Sequence, residues 1–348
     1  MKLTNERKEL YEQLESKILN TKLDLYEGDV VNNNKIWIKK ECDSLHESHY
    51  DYPYLQLLKH YEINGMIKPG KKIFDASSGS AGISLAGIGS ELGYDVHIAL
   101  PAGGEKARET EIVKRGGIIH ETDEVSYVNG FMRFTPRFLV SNRDCFFINH
   151  SLGSSKTEMN EIALKAFEKI ATESLEQIQK YGEKLDYFVP ALGNGSTLVG
   201  PGRVFKKNEV SIKGFEPFQS GLVYDMLYPG KYAEEFGIEP GTLKRHKLPG
   251  MSFQQLGKHV PVPTYDFAIK TKLLDDVILL SDSFMNSEYE TLTSNKHPTN
   301  LPRWDIEQYK DFGRSTNGGI QVCKMLAKST DSKNYLIIGY DKKNRYDF

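Results

Sequence analysis

Two glycine- and serine-rich runs have the residue types that bind anions. The first run consists of Ser77, Ser78, Gly79, Ser80 and Ala81, and the second consists of Gly193, Asn194, Gly195, Ser196 and Thr197. A turn of this kind between a buried strand and a helix presents backbone N–H groups at the positive end of the helix, where a carboxylate or phosphate binds. Either run alone is better explained as an ordinary tight turn. Together they indicate a ligand with two anionic ends.

Histidine and tyrosine side chains are concentrated at residues 46–52. His46 and His49 are three residues apart, which is a spacing found in metal-binding pairs on one helix face. A simpler interpretation is that His49 tunes Tyr50, whose phenol transfers protons only if its surroundings lower its pKa from about 10. We therefore predict no metal site in this segment.

Two further segments accompany the glycine-rich runs, namely residues 39–52 (KKECDSLHESHYDY) and the turn 313–318 (GRSTNG). In this order, the four motifs resemble those of the cysteine synthase and tryptophan synthase β group, the fold type II pyridoxal phosphate (PLP) enzymes. The resemblance covers nearly the whole chain. It implies an α/β fold with two domains, in which mostly parallel sheets are flanked by helices. It also implies PLP as the cofactor and a small amino-acid-like substrate.

The same resemblance implies roles for the motif residues. Residues 77–81 would bind the carboxylate of the substrate, and residues 193–197 would bind the phosphate of PLP. Ser80, Ser315 and Thr316 would contact the cofactor ring. The family also implies a smaller mobile domain at 45–148, a larger phosphate-binding domain at 1–44 and 149–348, and a ligand held between the two.

The chain departs from the family at the catalytic lysine. The family motif Ser-x-Lys-Asp-Arg is represented here by residues 48–52, Ser-His-Tyr-Asp-Tyr, so Tyr50 falls on the lysine position. That lysine forms a Schiff base with PLP and moves the α-proton of the substrate. A phenol cannot form an imine, although it can still transfer a proton. The resemblance therefore implies Tyr50 as a catalytic acid or base, with the adjacent His49 as the second catalytic residue. Ser80 in place of an asparagine and Tyr52 in place of an arginine are the other departures.

Three hypotheses follow from this pattern. In the first, the protein is an enzyme of the β-replacement or β-elimination lineage that binds PLP non-covalently and uses Tyr50 as acid or base. In the second, it is a non-catalytic relative that senses a phosphorylated ligand or regulates a partner, with or without PLP. In the third, it is a conventional PLP enzyme that uses a displaced lysine, for which Lys156 has the best reach.

Alternating strand and helix patterns predict the elements that position these motifs. The clearest predicted strands are 73–74, 96–100, 146–148, 187–189 and 335–338. The clearest predicted helices are 81–92, 106–115, 156–181 and 318–327. Both anion-binding runs therefore follow a predicted strand, as the proposed chemistry requires.

Composition excludes several other classes of protein. The 348 residues are 39% hydrophobic with a net charge of −2, and no long basic run indicates nucleic acid as a partner. No stretch approaches the roughly 20 apolar residues of a membrane span. The three cysteines have no paired spacing, which is typical of a reduced intracellular protein. We therefore expect a cytoplasmic protein with a small-molecule substrate and, from family habit, a homodimer.

Overall fold

The computed structural model of the protein describes residues 3–123, 127–152, 158–239, 242, 246–251, 262–282 and 301–347, the side chains of 127 and 128 excepted. The chain forms two compact units. The first comprises residues 1–21, 41–167 and 341–348, and the second comprises 22–40 and 168–340. The first unit includes the whole of the predicted domain 45–148, whose boundaries remain a prediction.

Strands and helices alternate along most of the chain. In chain order the strands are β1 (Leu23–Leu25), β2 (Lys35–Lys39), β3 (Lys72–Ala76), β4 (Asp95–Pro101), β5 (Ile118–Thr122), β6 (Phe146–Phe147), β7 (Tyr187–Phe188), β8 (Ser211–Pro217), β9 (Asp276–Leu280) and β10 (Asn334–Ile338). The α-helices of the described residues are α1 (Asn5–Ile18), α2 (Asp51–Ile63), α3 (Ser80–Glu91), α4 (Lys106–Lys114), α5 (Tyr127–Ser141), α6 (Glu161–Gln179), α7 (Ser196–Lys207), α8 (Leu222–Leu227), α9 (Lys231–Phe236), α10 (Pro263–Lys270) and α11 (Arg314–Ala327). Short 3₁₀ helices span Glu41–Asp43, Phe218–Ser220 and Lys343–Arg345.

Each unit is built on one sheet. The first unit has a parallel four-stranded sheet in the order β5-β4-β3-β6. The second has a six-stranded sheet in the order β1-β2-β10-β7-β8-β9, in which only β1 is antiparallel to its neighbour. The predicted α/β class with mostly parallel sheets is therefore confirmed. Parallel strands bring their carboxyl ends to one edge of a sheet, where α/β proteins bind ligands.

The core of the first unit lies where α2 and α3 pack with the sheet. Leu55, Leu58, Ile73, Leu85 and Ile98 are all fully buried there. Each such side chain contributes about 1.5–3 kcal/mol by leaving water, so this core holds α2 firmly in place. Among the described residues, no helix is long and apolar enough to cross a membrane.

A buried carboxylate joins α1 to this core. Glu62 accepts hydrogen bonds from four donors, namely Arg7 Nε (2.7 Å), Arg7 Nη2 (2.7 Å), Tyr11 Oη (2.8 Å) and Tyr94 Oη (2.7 Å). Burial acts to raise the pKa of Glu62, but these hydrogen bonds hold it below its ordinary value of 4.5. The folded protein therefore binds a proton at Glu62 less readily than the unfolded chain does. This contribution to stability is present above pH 4.5 and is lost as the pH falls through the lowered pKa.

Replacing Glu62 with glutamine should destabilise the first unit. The change removes the counter-charge of the partly buried Arg7 guanidinium, and breaking such a pair costs up to about 3 kcal/mol. Urea unfolding at pH 7 would measure the loss, and the difference from wild type should shrink at pH 4. Glu12→Gln, an exposed change on the same helix α1, should have little effect. Equal stability of the Glu62 variant at pH 7 would show that the network contributes nothing net.

Candidate active site

The segment that leads to Tyr50 is fixed by a buried carboxylate. Asp51, the first residue of α2, is fully buried. Three donors share its carboxylate: Ser44 Oγ (2.8 Å), the His46 N–H (2.7 Å) and Ser84 Oγ (2.7 Å). A carboxylate in the first turn also interacts favourably with the helix dipole. The Tyr50 N–H donates to Ser48 Oγ at 3.2 Å, so the backbone at position 50 is well defined.

Aromatic side chains of the first unit surround the half-buried Tyr50 ring. Its ring centroid lies 4.2 Å from that of His49, 5.3 Å from His150, 5.4 Å from Phe167 and 6.3 Å from Tyr54. The His150 ring stands nearly perpendicular to it, at 85°. The structure thus places the predicted pair of Tyr50 and His49 in contact. It adds His150, which the sequence motifs do not identify because it lies 100 residues away along the chain.

The predicted carboxylate-binding run 77–81 links β3 to α3. Ser77 Oγ accepts hydrogen bonds from the N–H groups of Gly79 (3.0 Å) and Gly82 (2.8 Å), which close the turn. Gly79 has φ +144°, and a Cβ there would lie 2.4 Å from Cδ of Arg108. Within the described part of the chain, the N–H groups of Ser80 and Ala81 donate to no acceptor. The turn therefore offers free amides at a helix start, as an anion requires.

A buried ion-pair cluster supports this turn from the chain's C-terminal segment. Arg108 Nη2 lies 3.0 Å from Asp341 Oδ2, and its Nη1 donates to the Ser78 carbonyl at 3.4 Å. Tyr346 Oη donates to the same carboxylate at 2.9 and 3.0 Å, and Ser80 Oγ donates to it at 3.3 Å. Burial raises the pKa of Asp341, while Arg108, Tyr346 and Ser80 act to lower it. The sequence motifs do not predict this cluster, whose residues come from separate segments.

The predicted phosphate-binding run 193–197 links the segment after β7 to α7. Gly195 adopts a left-handed conformation (φ +80°), and a Cβ there would lie 2.3 Å from Thr264 Oγ1. Thr264 Oγ1 donates to the Asn194 carbonyl at 2.7 Å, and Asn194 Oδ1 accepts from the Ser196 N–H at 3.0 Å. In the residues that the structure describes, the N–H groups of Gly195 and Thr197 have no acceptor. This loop has the form of a phosphate cradle.

The predicted ring-binding hydroxyls at 315 and 316 differ in their environments. Thr316 Oγ1 donates to the Ile338 carbonyl at 3.2 Å and accepts from the Tyr340 N–H at 3.1 Å. Tyr340 Oη in turn accepts from the Ala191 N–H at 2.7 Å, just before the phosphate-binding run. The Thr316 hydroxyl thus links the turn 313–318 to the segment that follows β10. The hydroxyl of Ser315, which has no hydrogen bond among the described residues, is the better candidate for a ligand contact.

The described lysines near these motifs are engaged in ion pairs. Lys39 is fully buried, 2.6 Å from Glu173. Lys59 lies 3.8 Å from Glu15. Lys156, the predicted displaced lysine, lies outside the described residues. In the part of the chain that is described, no group of three or more His, Cys, Asp and Glu side chains could hold a metal ion.

Each loop, taken by itself, has the features that an anionic group such as a phosphate or a carboxylate requires. A Cβ would obstruct each loop at its central glycine, and within the described ranges unpaired amides remain at the starts of α3 and α7. Residues 16–292 also match the profile of a protein family described as pyridoxal-phosphate dependent enzyme. The chain belongs to the pyridoxal-phosphate dependent enzyme family. The resemblance predicted from the sequence motifs is therefore confirmed at the level of the family, whose members depend on PLP.

Curated relatives of the family are cysteine synthases. The enzyme of Aquifex aeolicus is 28% identical over 217 residues, which cover 60% of this chain and 64% of that protein, less than two-thirds of its length. Cysteine synthase B of Campylobacter jejuni is 23% identical over 310 residues, or 88% of each chain. These relatives place the chain among cysteine synthase-like proteins.

Two solved structures share the fold of this chain. A hydrogen sulfide-producing enzyme of Fusobacterium nucleatum superposes with a TM-score of 0.74 at 20% identity, over 96% of this chain and 99% of that chain. O-ureido-L-serine synthase superposes with a TM-score of 0.72 at 18% identity, over 95% and 92%. At such identities the likeness establishes the fold type II architecture and not the reaction.

Proposed function

We propose that the protein binds PLP without a covalent link and acts on a small amino-acid-type substrate, in the β-replacement or β-elimination class of reactions. The observation that carries the proposal is the tyrosine at position 50, at the start of α2, where the motif of the family has its lysine. The loops 77–81 and 193–197 each present unpaired amides, within the described residues, at a helix start, which supports binding of a carboxylate at the first and of a phosphate at the second.

The residues of the chain have separate tasks in this proposal. Gly195, Ser196 and Thr197 bind the phosphate with backbone and hydroxyl donors at the start of α7. The amides of Ser80 and Ala81 bind the substrate carboxylate. Bound PLP supplies an electron sink for a carbanion at the α-carbon of the substrate.

Tyr50 takes over proton transfer but not covalent binding. Its phenol oxygen carries one proton and accepts hydrogen bonds, so it can protonate a leaving group or receive a proton. The neighbouring rings of His49, His150 and Phe167 exclude water from much of the tyrosine ring. Such positioned acid–base groups contribute roughly 100- to 10,000-fold to a rate.

Replacing Tyr50 with phenylalanine should lower turnover at least about 100-fold while leaving the affinity for PLP nearly unchanged. Removal of one hydroxyl keeps the aromatic packing but eliminates the proton. Steady-state consumption of L-serine, O-acetyl-L-serine and L-cysteine would measure turnover, and equilibrium dialysis would measure PLP binding. Tyr52→Phe, the same change two residues further along, removes a hydrogen bond to Glu15 (2.9 Å) and serves as the matched control.

Other outcomes distinguish the remaining candidates. PLP binding without turnover of any substrate would favour the non-catalytic relative, which the loss of the lysine also supports. Borohydride trapping of wild-type protein on a lysine such as Lys156 would favour a displaced Schiff base and contradict the proposal. A homodimer, proposed from family habit, would be tested by sedimentation equilibrium.

A further inference from the structure

An aspartate–histidine pair lies beside Tyr50 in the first unit. Asp75 is the fourth residue of β3, and His150 follows the adjacent strand β6. His150 Nδ1 lies 2.9 Å from Asp75 Oδ2, and the His150 N–H donates to the same oxygen at 3.2 Å. Both side chains are buried, with exposed fractions of 2% for Asp75 and 7% for His150. Two contacts to one carboxylate fix the position of the imidazole ring.

The hydrogen bonds determine which nitrogen of His150 carries the proton. Asp75 also accepts from Tyr54 Oη (3.0 Å) and from the Ala76 N–H (2.8 Å). Burial, together with Asp75, raises the pKa of Tyr54 well above its ordinary value, so its phenol remains a donor. His150 Nδ1 lies 2.9 Å from Asp75 Oδ2 and 3.0 Å from Tyr54 Oη. Because Asp75 accepts from all its other partners, the geometry assigns Nδ1 as a further donor to this carboxylate. In this tautomer the imidazole has its lone pair on Nε2.

The free nitrogen belongs to a ring that packs against Tyr50. Among the described residues, Nε2 of His150 forms no hydrogen bond, in contrast to Nδ1. The Tyr50 ring packs edge to face against the imidazole, with centroids 5.3 Å apart. Asp75 lies two residues before the carboxylate-binding run 77–81. The carboxylate loop and this imidazole thus follow neighbouring strands of one sheet, and the imidazole contacts Tyr50 at the start of α2.

We propose that His150, positioned by Asp75, is the base that removes the α-proton of the substrate, the task that the family assigns to its lysine. The inference rests on the proposed function. In this step the Cα–H bond breaks, the proton forms an N–H bond at Nε2, and the electron pair remains with the substrate and its cofactor. Tyr50 then supplies its phenolic proton to the leaving group when the Cβ bond breaks. Asp75 is a positioning residue, because it acts through the imidazole.

Exchange of the α-proton in deuterium oxide tests the base directly. L-alanine, which has no leaving group, would be incubated with the full-length protein and PLP, and the loss of its α-proton signal would be followed by proton NMR. We expect His150→Gln to slow the exchange about 100-fold or more while PLP affinity stays within about twofold. His60→Gln, an exposed histidine on α2, is the matched control. Tyr50→Phe should lower turnover of O-acetyl-L-serine by more than it lowers exchange.

A second measurement does not depend on activity. Nitrogen-15 NMR of histidine-labelled protein, assigned with His150→Gln, should show His150 protonated on Nδ1 and bare on Nε2. Asp75→Asn should remove this preference, and it also serves as a second variant if His150→Gln fails to fold. Protonation on Nε2 in the wild type would overturn the inference.

The outcomes separate the inference from the proposed function. Exchange at the wild-type rate in His150→Gln would overturn the role of His150 and leave the proposed function intact. Absence of exchange in wild-type protein that has bound PLP would overturn the proposed function and, with it, the catalytic role of His150. Slow exchange of the α-proton in Asp75→Asn, with an unchanged KM for L-alanine, would support the role of Asp75 in positioning His150. A merely structural defect would also weaken the binding of L-alanine.

Discussion

Replacing Tyr50 with lysine is expected to convert the protein into one that PLP modifies covalently. A primary amine condenses with the aldehyde of PLP, whereas the phenol of the wild type cannot. Position 50 lies at the N-terminal end of α2, where the helix dipole disfavours an ammonium and so favours the nucleophilic free amine. Borohydride reduction followed by peptide mapping should find about one pyridoxyl group per chain, at position 50.

Two comparisons make this result decisive. Tyr52→Lys places the same amine two residues further along α2. The wild-type side chain at that position bonds to Glu15, so we expect no pyridoxyl group on the lysine of this variant. Equal labelling of both variants would indicate non-specific reaction with surface amines. A Tyr50→Lys protein that binds PLP but forms no reducible bond would show that position 50 does not meet the aldehyde. That outcome would remove the main support for the proposed function.

Much of the fold could be predicted from the sequence because its parallel strands are short apolar runs. The strands predicted at 73–74, 96–100 and 335–338 lie within β3, β4 and β10. The sequence pattern predicts helix α6 from 156, whereas the helix begins at Glu161, where Asn160 Oδ1 accepts from the Ala163 N–H. Helix α5 is absent from the predicted elements; Pro136 lies in its interior, and proline ordinarily indicates the end of a helix.

The candidate site could be predicted only where it is contiguous in sequence. The two anion-binding runs are local motifs, because each is a single strand-to-helix turn. Asp75 with His150, and Arg108 with Asp341, depend on the pairing of strands and the path of the chain end. Pairwise spacing in the sequence contains no information on such contacts. The sequence pattern likewise does not distinguish the hydroxyls of Ser315 and Thr316. Their environments differ because the Tyr340 N–H donates a hydrogen bond to Thr316 Oγ1 and not to Ser315.

Replacing Gly195 with alanine should weaken PLP binding roughly 1,000-fold. A left-handed backbone costs an L-residue about 1–2 kcal/mol, and the new Cβ would lie 2.3 Å from Thr264 Oγ1 and 2.6 Å from its Cβ. The loop must therefore move away from Thr264, which misaligns the amides at the start of α7. Loss of two charge-assisted hydrogen bonds to the phosphate costs roughly 3–6 kcal/mol. Equilibrium dialysis with PLP would measure the change in affinity.

The chain offers a control that separates backbone strain from the phosphate site. Gly230 has nearly the same φ, +81°, and a Cβ there meets nothing within 4 Å. Gly230→Ala should cost similar strain and leave PLP affinity unchanged. Wild-type affinity in Gly195→Ala would mean that the run 193–197 does not bind the phosphate. Because this prediction concerns the second unit and the lysine substitution concerns the first, failure of one does not decide the other. PLP binding that requires Gly195, combined with labelling that requires an amine at position 50, would assign both ends of the cofactor.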